Sequence, residues 1–199
     1  MADFDPSFFS IKQNSFKWLP DAKDLLVLNA GELTKKIVKV PRRDAQRIVD
    51  SVVRFVLDLP RNSTPLVVWT HGDSELLLHS DKTRIDLSSG IVTITATVEC
   101  DQSGVVEIPI PLGVGSSSSP SGLLMSAFNE LQGPRAIVDI WTDSLTAFAW
   151  ETLLETAKAI CSQFGVDTKG RPLVPGSIGA GSQILLIQPI ARHSLRVEA

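Results

Sequence analysis

His71, Asp73 and Ser74 stand within four residues of one another, directly after the apolar run Leu66 to Thr70. A serine hydroxyl becomes a nucleophile when an imidazole takes its proton and a carboxylate orients that imidazole. These three side chains are the minimum set for hydrolysis by that route. Glu75, His79 and Asp81 follow closely, and two histidines with a carboxylate form a common donor set for zinc or iron. Residues two apart on a strand share a face, but the turn His71-Gly72-Asp73-Ser74 interrupts that register. Polar residues around a hairpin tip are the simpler expectation.

Two family patterns touch this stretch. An apolar strand followed by His-Gly resembles the oxyanion-loop entry of the α/β-hydrolases. Gly72-Asp73-Ser74 after a strand resembles the nucleophile block of the GDSL-type esterases. The first family implies a downstream G-x-S-x-G elbow, which this chain lacks. The second implies a D-x-x-H pair near the C-terminus, and here His193 has Ile190 three residues before it. Neither family is adopted. Gly176-Ser177-Ile178-Gly179-Ala180-Gly181 could cradle a phosphate only between a strand and a helix N-terminus. It follows a loop-like stretch and precedes a strand-like one, so a flexible connector is expected. No catalytic, metal or cofactor residue is assigned.

The elements that would position these groups are legible in part. Ile91 to Leu112 is the clearest stretch. Val92, Ile94, Ala96, Val98 and Cys100 alternate with polar residues, Asp101 to Gly104 is turn chemistry, and Val106, Ile108, Ile110 and Leu112 alternate again. That is an antiparallel hairpin. Pro109 and Pro111 remove two N–H donors from one side of the return strand and make it a sheet edge. Arg42 to Leu59 has helical spacing, with Ala45, Ile48, Val49, Val52, Val53 and Val56 on one side. Leu66 to Thr70, almost wholly apolar, is expected as a central strand. Glu75 to His79 and Arg84 to Leu87 read as two short strands. Asp24 to Asn29 and Leu33 to Val40 read as strands, and Leu123 to Gln132 as a short helix. Arg135 to Trp141 reads as a strand, after which Asp143 caps a helix from Ser144 to Phe164 ending at Gly165. Val166 to Ser182 reads as a loop. Ile184 to Ile190 and Ser194 to Val197 close the chain as strands. IVKVPRRDAQRIVDSVVRFV and IVDIWTDSLTAFAWETLLETA echo each other loosely as strand–turn–helix units.

The expected fold is therefore α+β, a mainly antiparallel sheet with two long helices and one short helix packed on it. Residues 1–20 form an aromatic-rich arm, and residues 21–199 a single domain with a subdomain break at the Ser-rich loop 113–122. The chain has 199 residues, 43% of them hydrophobic, enough for one core.

The arm holds Phe4, Phe8, Phe9, Phe16 and Trp18 without a helical or strand period, so these rings must pack on this chain or on a partner. Lys35, Lys36, Lys39, Arg42, Arg43 and Arg47 concentrate positive charge on a chain of net charge −3. Arginines in a first helical turn oppose the helix dipole, so local stability does not explain them. An acidic protein partner fits them, whereas generic nucleic-acid binding is disfavoured by the overall charge. The start of the chain lacks signal-peptide features, and no apolar run approaches the ~20 residues that cross a bilayer. Cytoplasmic residence is expected, with Cys100 and Cys161 as free thiols.

The expected role is a non-enzymatic structural or assembly protein, self-associating or built into a larger particle such as a phage virion or tail. The alternatives are a small hydrolase using the His71/Asp73/Ser74 turn and a monomeric immunity or adaptor protein.

Overall fold

The computed structural model describes residues 37–60, 62–116, 125–126, 131–163 and 170–191. The expected arm 1–20, the expected strands 24–29 and 194–197, Lys35 and Lys36 of the expected 33–40 strand, residues 117–124 and residues 164–169 lie outside the described residues.

The fold is α+β, two antiparallel-rich sheets and two long helices around one hydrophobic core. Strand β1 (Val38–Pro41) runs straight into helix α1 (Arg42–Val56). Pro41 sets this junction. Its φ of −58° suits the residue before a helix, and a proline there loses no helical N–H bond. Helix α1 buries Ala45, Val49, Val52, Val53 and Val56, as its spacing requires.

A five-stranded sheet follows, built from β2 (Leu66–His71), β3 (Ser74–Ser88), β4 (Ile91–Cys100), β5 (Gly104–Gly113) and β7 (Met125–Ser126), in the order β2-β3-β4-β5-β7. The β4–β5 hairpin is as expected, with Cys100 opposite Gly104. Val92, Ile94, Ala96 and Val98 on β4 and Ile108, Ile110 and Leu112 on β5 are buried on one face. Strand β5 meets β7 only at Leu112 and Gly113, so Pro109 and Pro111 face an edge with no strand partner among the described residues.

Several expectations are corrected. Strand β2 is an edge, not a central strand; it is apolar on both faces because Trp69 is buried while Val68 is exposed. The two short strands 75–79 and 84–87 are one strand, β3. Between His79 and Arg84 its register on β4 shifts, and this bulge absorbs the polar Ser80-Asp81-Lys82-Thr83 without ending the strand. Arg135 to Trp141 is not a strand but the first two turns of α2 (Arg135–Ser162), with Pro134 at the N-cap and Asp143 mid-helix. The β-branched Ile137, Val138 and Ile140 favour a strand locally, yet Ile137, Trp141, Leu145 and Phe148 are all buried at helical spacing. Burial overrides propensity, and the strand–turn–helix echo disappears. The expected short helix 123–132 is interrupted by strand β7 at Met125–Ser126, and the rest of it up to Glu130 lies outside the described residues.

The second sheet contains β1, β6 (Gly115–Ser116), β8 (Leu173–Gly181) and β9 (Ile184–Ala191) in the order β1-β9-β8-β6. Strand β8 overturns the reading of 173–181 as loop. Its Gly179 serves packing: a Cβ there would sit 2.9 Å from the Gly115 carbonyl oxygen on the parallel strand β6. Helix α2 lies between the sheets and is buried on several sides, including Ser144, Glu151, Thr152 and Thr156. Trp69 of β2 meets Trp141 and Phe148 of α2 at ring-centroid distances of 6.3 and 6.2 Å, so α2 covers the inner face of the five-stranded sheet. Among the described residues no helix is long and apolar enough to cross a membrane.

Candidate interaction surface

The β2–β3 turn is a tight hairpin: His71 pairs with Ser74, and Gly72 takes a φ of +57°, open to glycine at no steric cost. This geometry sorts the polar candidates of the sequence onto different faces. Cross-strand partners point the same way, so His71 and Ser74 share the inner face, where the His71 ring meets Trp141 edge-on at 6.3 Å. Asp73 is exposed at the tip. His79 is on the outer face with its Nε2 3.4 Å from Glu99 Oε2. Asp81 falls in the bulge. Among the described residues no group of three or more histidine, cysteine or acidic side chains gathers closely enough to hold a metal ion.

The outer face of the sheet is the more distinctive surface. Register places Val68, Leu77, Glu99 and Val105 in one row across β2, β3, β4 and β5. Leu66, His79, Thr97 and Glu107 form the next. Val68 is 51% exposed, Val105 55% and Leu66 38%. Beyond them Arg84 of β3 reaches over β4 to donate two hydrogen bonds to Glu107 of β5, from Nη1 to Oε1 at 2.7 Å and from Nη2 to Oε2 at 2.5 Å. The pair holds the Glu107 carboxyl below the usual carboxylate range, through the hydrogen bond first and charge second, and raises the Arg84 pKa by the same hydrogen bond. Thr95 and Thr97 on β4 are buried beneath this span. The outer face thus carries an apolar end and a charged strap. The signal for it in sequence was apolar character at every position from Leu66 to Trp69, on both faces of one strand.

The basic cluster divides by role. Arg42 is built into the fold: its Nε donates to the Ile85 carbonyl at 3.0 Å, and Nη2 lies 2.7 Å from Asp86 Oδ1. Gln46, one turn on, accepts from the Ile85 N–H and donates to the Thr83 carbonyl, each at 2.9 Å. The Gln183 N–H bonds the Leu87 carbonyl, and the Gln183 carbonyl takes the Arg42 N–H. Beyond Ser80 strand β3 has no β2 partner, and these side chains and turn atoms cover its free edge. Arg43 and Arg47 are exposed, with Arg47 Nη1 3.7 Å from Asp44 Oδ1. Lys39 is exposed on β1. Phe4, Phe8, Phe9, Phe16, Trp18 and Lys35 are outside the described residues.

Both cysteines are free and buried. Cys100 Sγ is 3.0 Å from Ser103 Oγ, and burial pushes the Cys161 thiol up to about 12. Compared with known proteins, the chain matches no family model, no curated protein and no solved structure.

Proposed function

We propose that this protein acts through protein–protein contacts, as a structural or assembly component, and that the outer face of the five-stranded sheet is its contact surface. The observation that carries this reading is the exposure of Leu66 and Val68, neighbours on the outer face of the edge strand β2, with Val105 exposed at the far end of the Val68 row. Exposed apolar side chains set among polar ones are what interfaces use. Membership of a larger particle is the finer form of the same reading; a monomeric adaptor with one partner is its rival. Sedimentation at several concentrations separates them. Val68→Thr with Val105→Thr is expected to shift assemblies toward monomer with little change in melting temperature, since both positions are exposed and threonine suits a strand. A double variant that assembles like the unaltered protein refutes this surface.

A second reading, a small hydrolase, is favoured by one observation: His71 stands opposite Ser74 on the same face of the hairpin. A fluorophosphonate probe that labels the protein but not Ser74→Ala would move this reading ahead; absence of labelling removes it.

A further inference from the structure

The strand edges of the five-stranded sheet differ in how they are protected. On β5 the open side carries Pro109 and Pro111. On β3 the stretch beyond Ser80 is covered by Arg42, Gln46 and Gln183. Strand β2 has neither device: from Leu66 to His71 it holds no proline and no Lys, Arg, Asp or Glu, and such edges accept further strands. Its hydrogen-bond phase shows which groups face outward. The Ser80 N–H donates to the Pro65 carbonyl at 2.8 Å, and bonded pairs alternate along an antiparallel ladder. Pro65, Val67 and Trp69 therefore aim their backbone groups at β3, and Leu66, Val68 and Thr70 aim theirs at the open side. Thr70 is engaged in another contact. Leu66 and Val68 have no strand partner on that side among the described residues, and their side chains are exposed. The missing N–H of Pro65 faces β3 and blocks nothing on the open side.

We propose that the β2 strand of a second copy of this chain adds to this edge, antiparallel, with Leu66 of each copy opposite Val68 of the other. This register makes two backbone hydrogen bonds at each Leu66–Val68 pair and uses only the open N–H and C=O groups. The two-fold axis passes between the two Val67 residues. An uncharged strand brings no like charges face to face when it pairs with itself. Each copy also brings the same exposed Leu66 and Val68 to the seam, so the Val68 row of one outer face runs on into the Leu66 row of the other. A two-fold contact of this kind closes on itself, and the prolines of β5 keep the joined sheet from growing at its far edge. The proposal rests on the reading of the protein as one that works through protein contacts, and it names the partner and the register.

The test is disulfide trapping of the full-length protein carrying Val67→Cys. Opposite residues in a non-bonded antiparallel pair have Cα atoms about 4.5 Å apart, within the range a disulfide bridges, so two copies are expected to link under mild oxidation. Asp73→Cys, at the exposed hairpin tip, lies roughly 40 Å from its counterpart in this register and is expected to link at least about tenfold more slowly. The native thiols are buried and do not compete. Leu66→Pro removes an N–H from the open side and none from the β2–β3 ladder. Sedimentation is expected to show its self-association weakened about tenfold or more, whereas Leu66→Thr keeps the N–H and weakens it less. Linking of Val67→Cys no faster than Asp73→Cys overturns the proposal, as does a Leu66→Pro protein that associates like Leu66→Thr. An unaltered protein that is a monomer at every concentration overturns self-association as a whole. If it associates and only Val68→Thr with Val105→Thr disrupts the assembly, the outer face stands and the β2 edge does not.

Discussion

Gln46→Ala isolates how α1 is fastened to the sheet. The amide of Gln46 serves two backbone groups on the free edge of β3, accepting from Ile85 N–H and donating to Thr83 C=O, each at 2.9 Å in a part-buried setting. Its contact with Asp50 is exposed and adds little. A hydrogen bond of this kind contributes about 1 kcal/mol net, and a backbone group left without a partner out of water costs about 1–3 kcal/mol. Alanine is the better helix former by a few tenths of a kcal/mol, which offsets part of the loss. The expected destabilisation is about 2–3 kcal/mol, a fall in melting temperature of roughly 5–10 °C for a chain of this size. Chemical denaturation measures it. Amide hydrogen exchange supplies the local readout: Ile85 N–H should lose protection, while Ile94, in the middle of β4, should change only with global stability. Gln46→Glu keeps the acceptor for Ile85 N–H but loses the donor to Thr83, and its carboxylate faces Asp50, so it should be destabilised as well. A Gln46→Ala protein within 0.5 kcal/mol of the unaltered one, with Ile85 still protected, refutes the edge-cover argument.

Pro109→Val with Pro111→Val restores two N–H donors on the open side of β5, and the double variant is expected to self-associate through that edge; unchanged sedimentation would remove the blocking role of the prolines. For Glu107 the folded-state pKa is lowered, so the Arg84–Glu107 pair contributes stability that is present above the unfolded value near 4.5 and is lost as pH falls through the lowered folded value. Acid titration of unfolding should therefore show the difference between the unaltered protein and Glu107→Gln shrinking below pH 4.5, and a pH-independent difference contradicts the assignment. Gly179→Val brings a side chain against the Gly115 carbonyl at a place where even a Cβ lies at 2.9 Å. It should displace β6 and lower stability, and a variant as stable as the parent would mean that β6 is not held there.

The sequence by itself determined the features whose physics is local. The period of two in β4 and β5, the helical spacing of α1 and the glycine at the β2–β3 turn each depend on neighbours a few residues away, and all stand in the structure. The α+β class followed from them. What tertiary structure decided lies where distant segments supply the deciding energy. Gly176, Gly179 and Gly181 look like a loop until Gly115 packs against Gly179 and β9 pairs with the strand on both sides of a bulge at Gly176. Ile137, Val138 and Ile140 look like a strand until burial of Ile137 and Trp141 among the sheets favours the helix. Leu66 to Thr70 carries no mark of its place at an edge, because strand order is set by which partners remain for it. In sequence Arg42 belongs to a basic cluster that fits an acidic partner, and Gln46 carries no mark; both act on backbone atoms of Thr83 and Ile85, about forty positions away in the chain. No periodicity reports a bond between a side chain and a strand edge that only folding brings within reach.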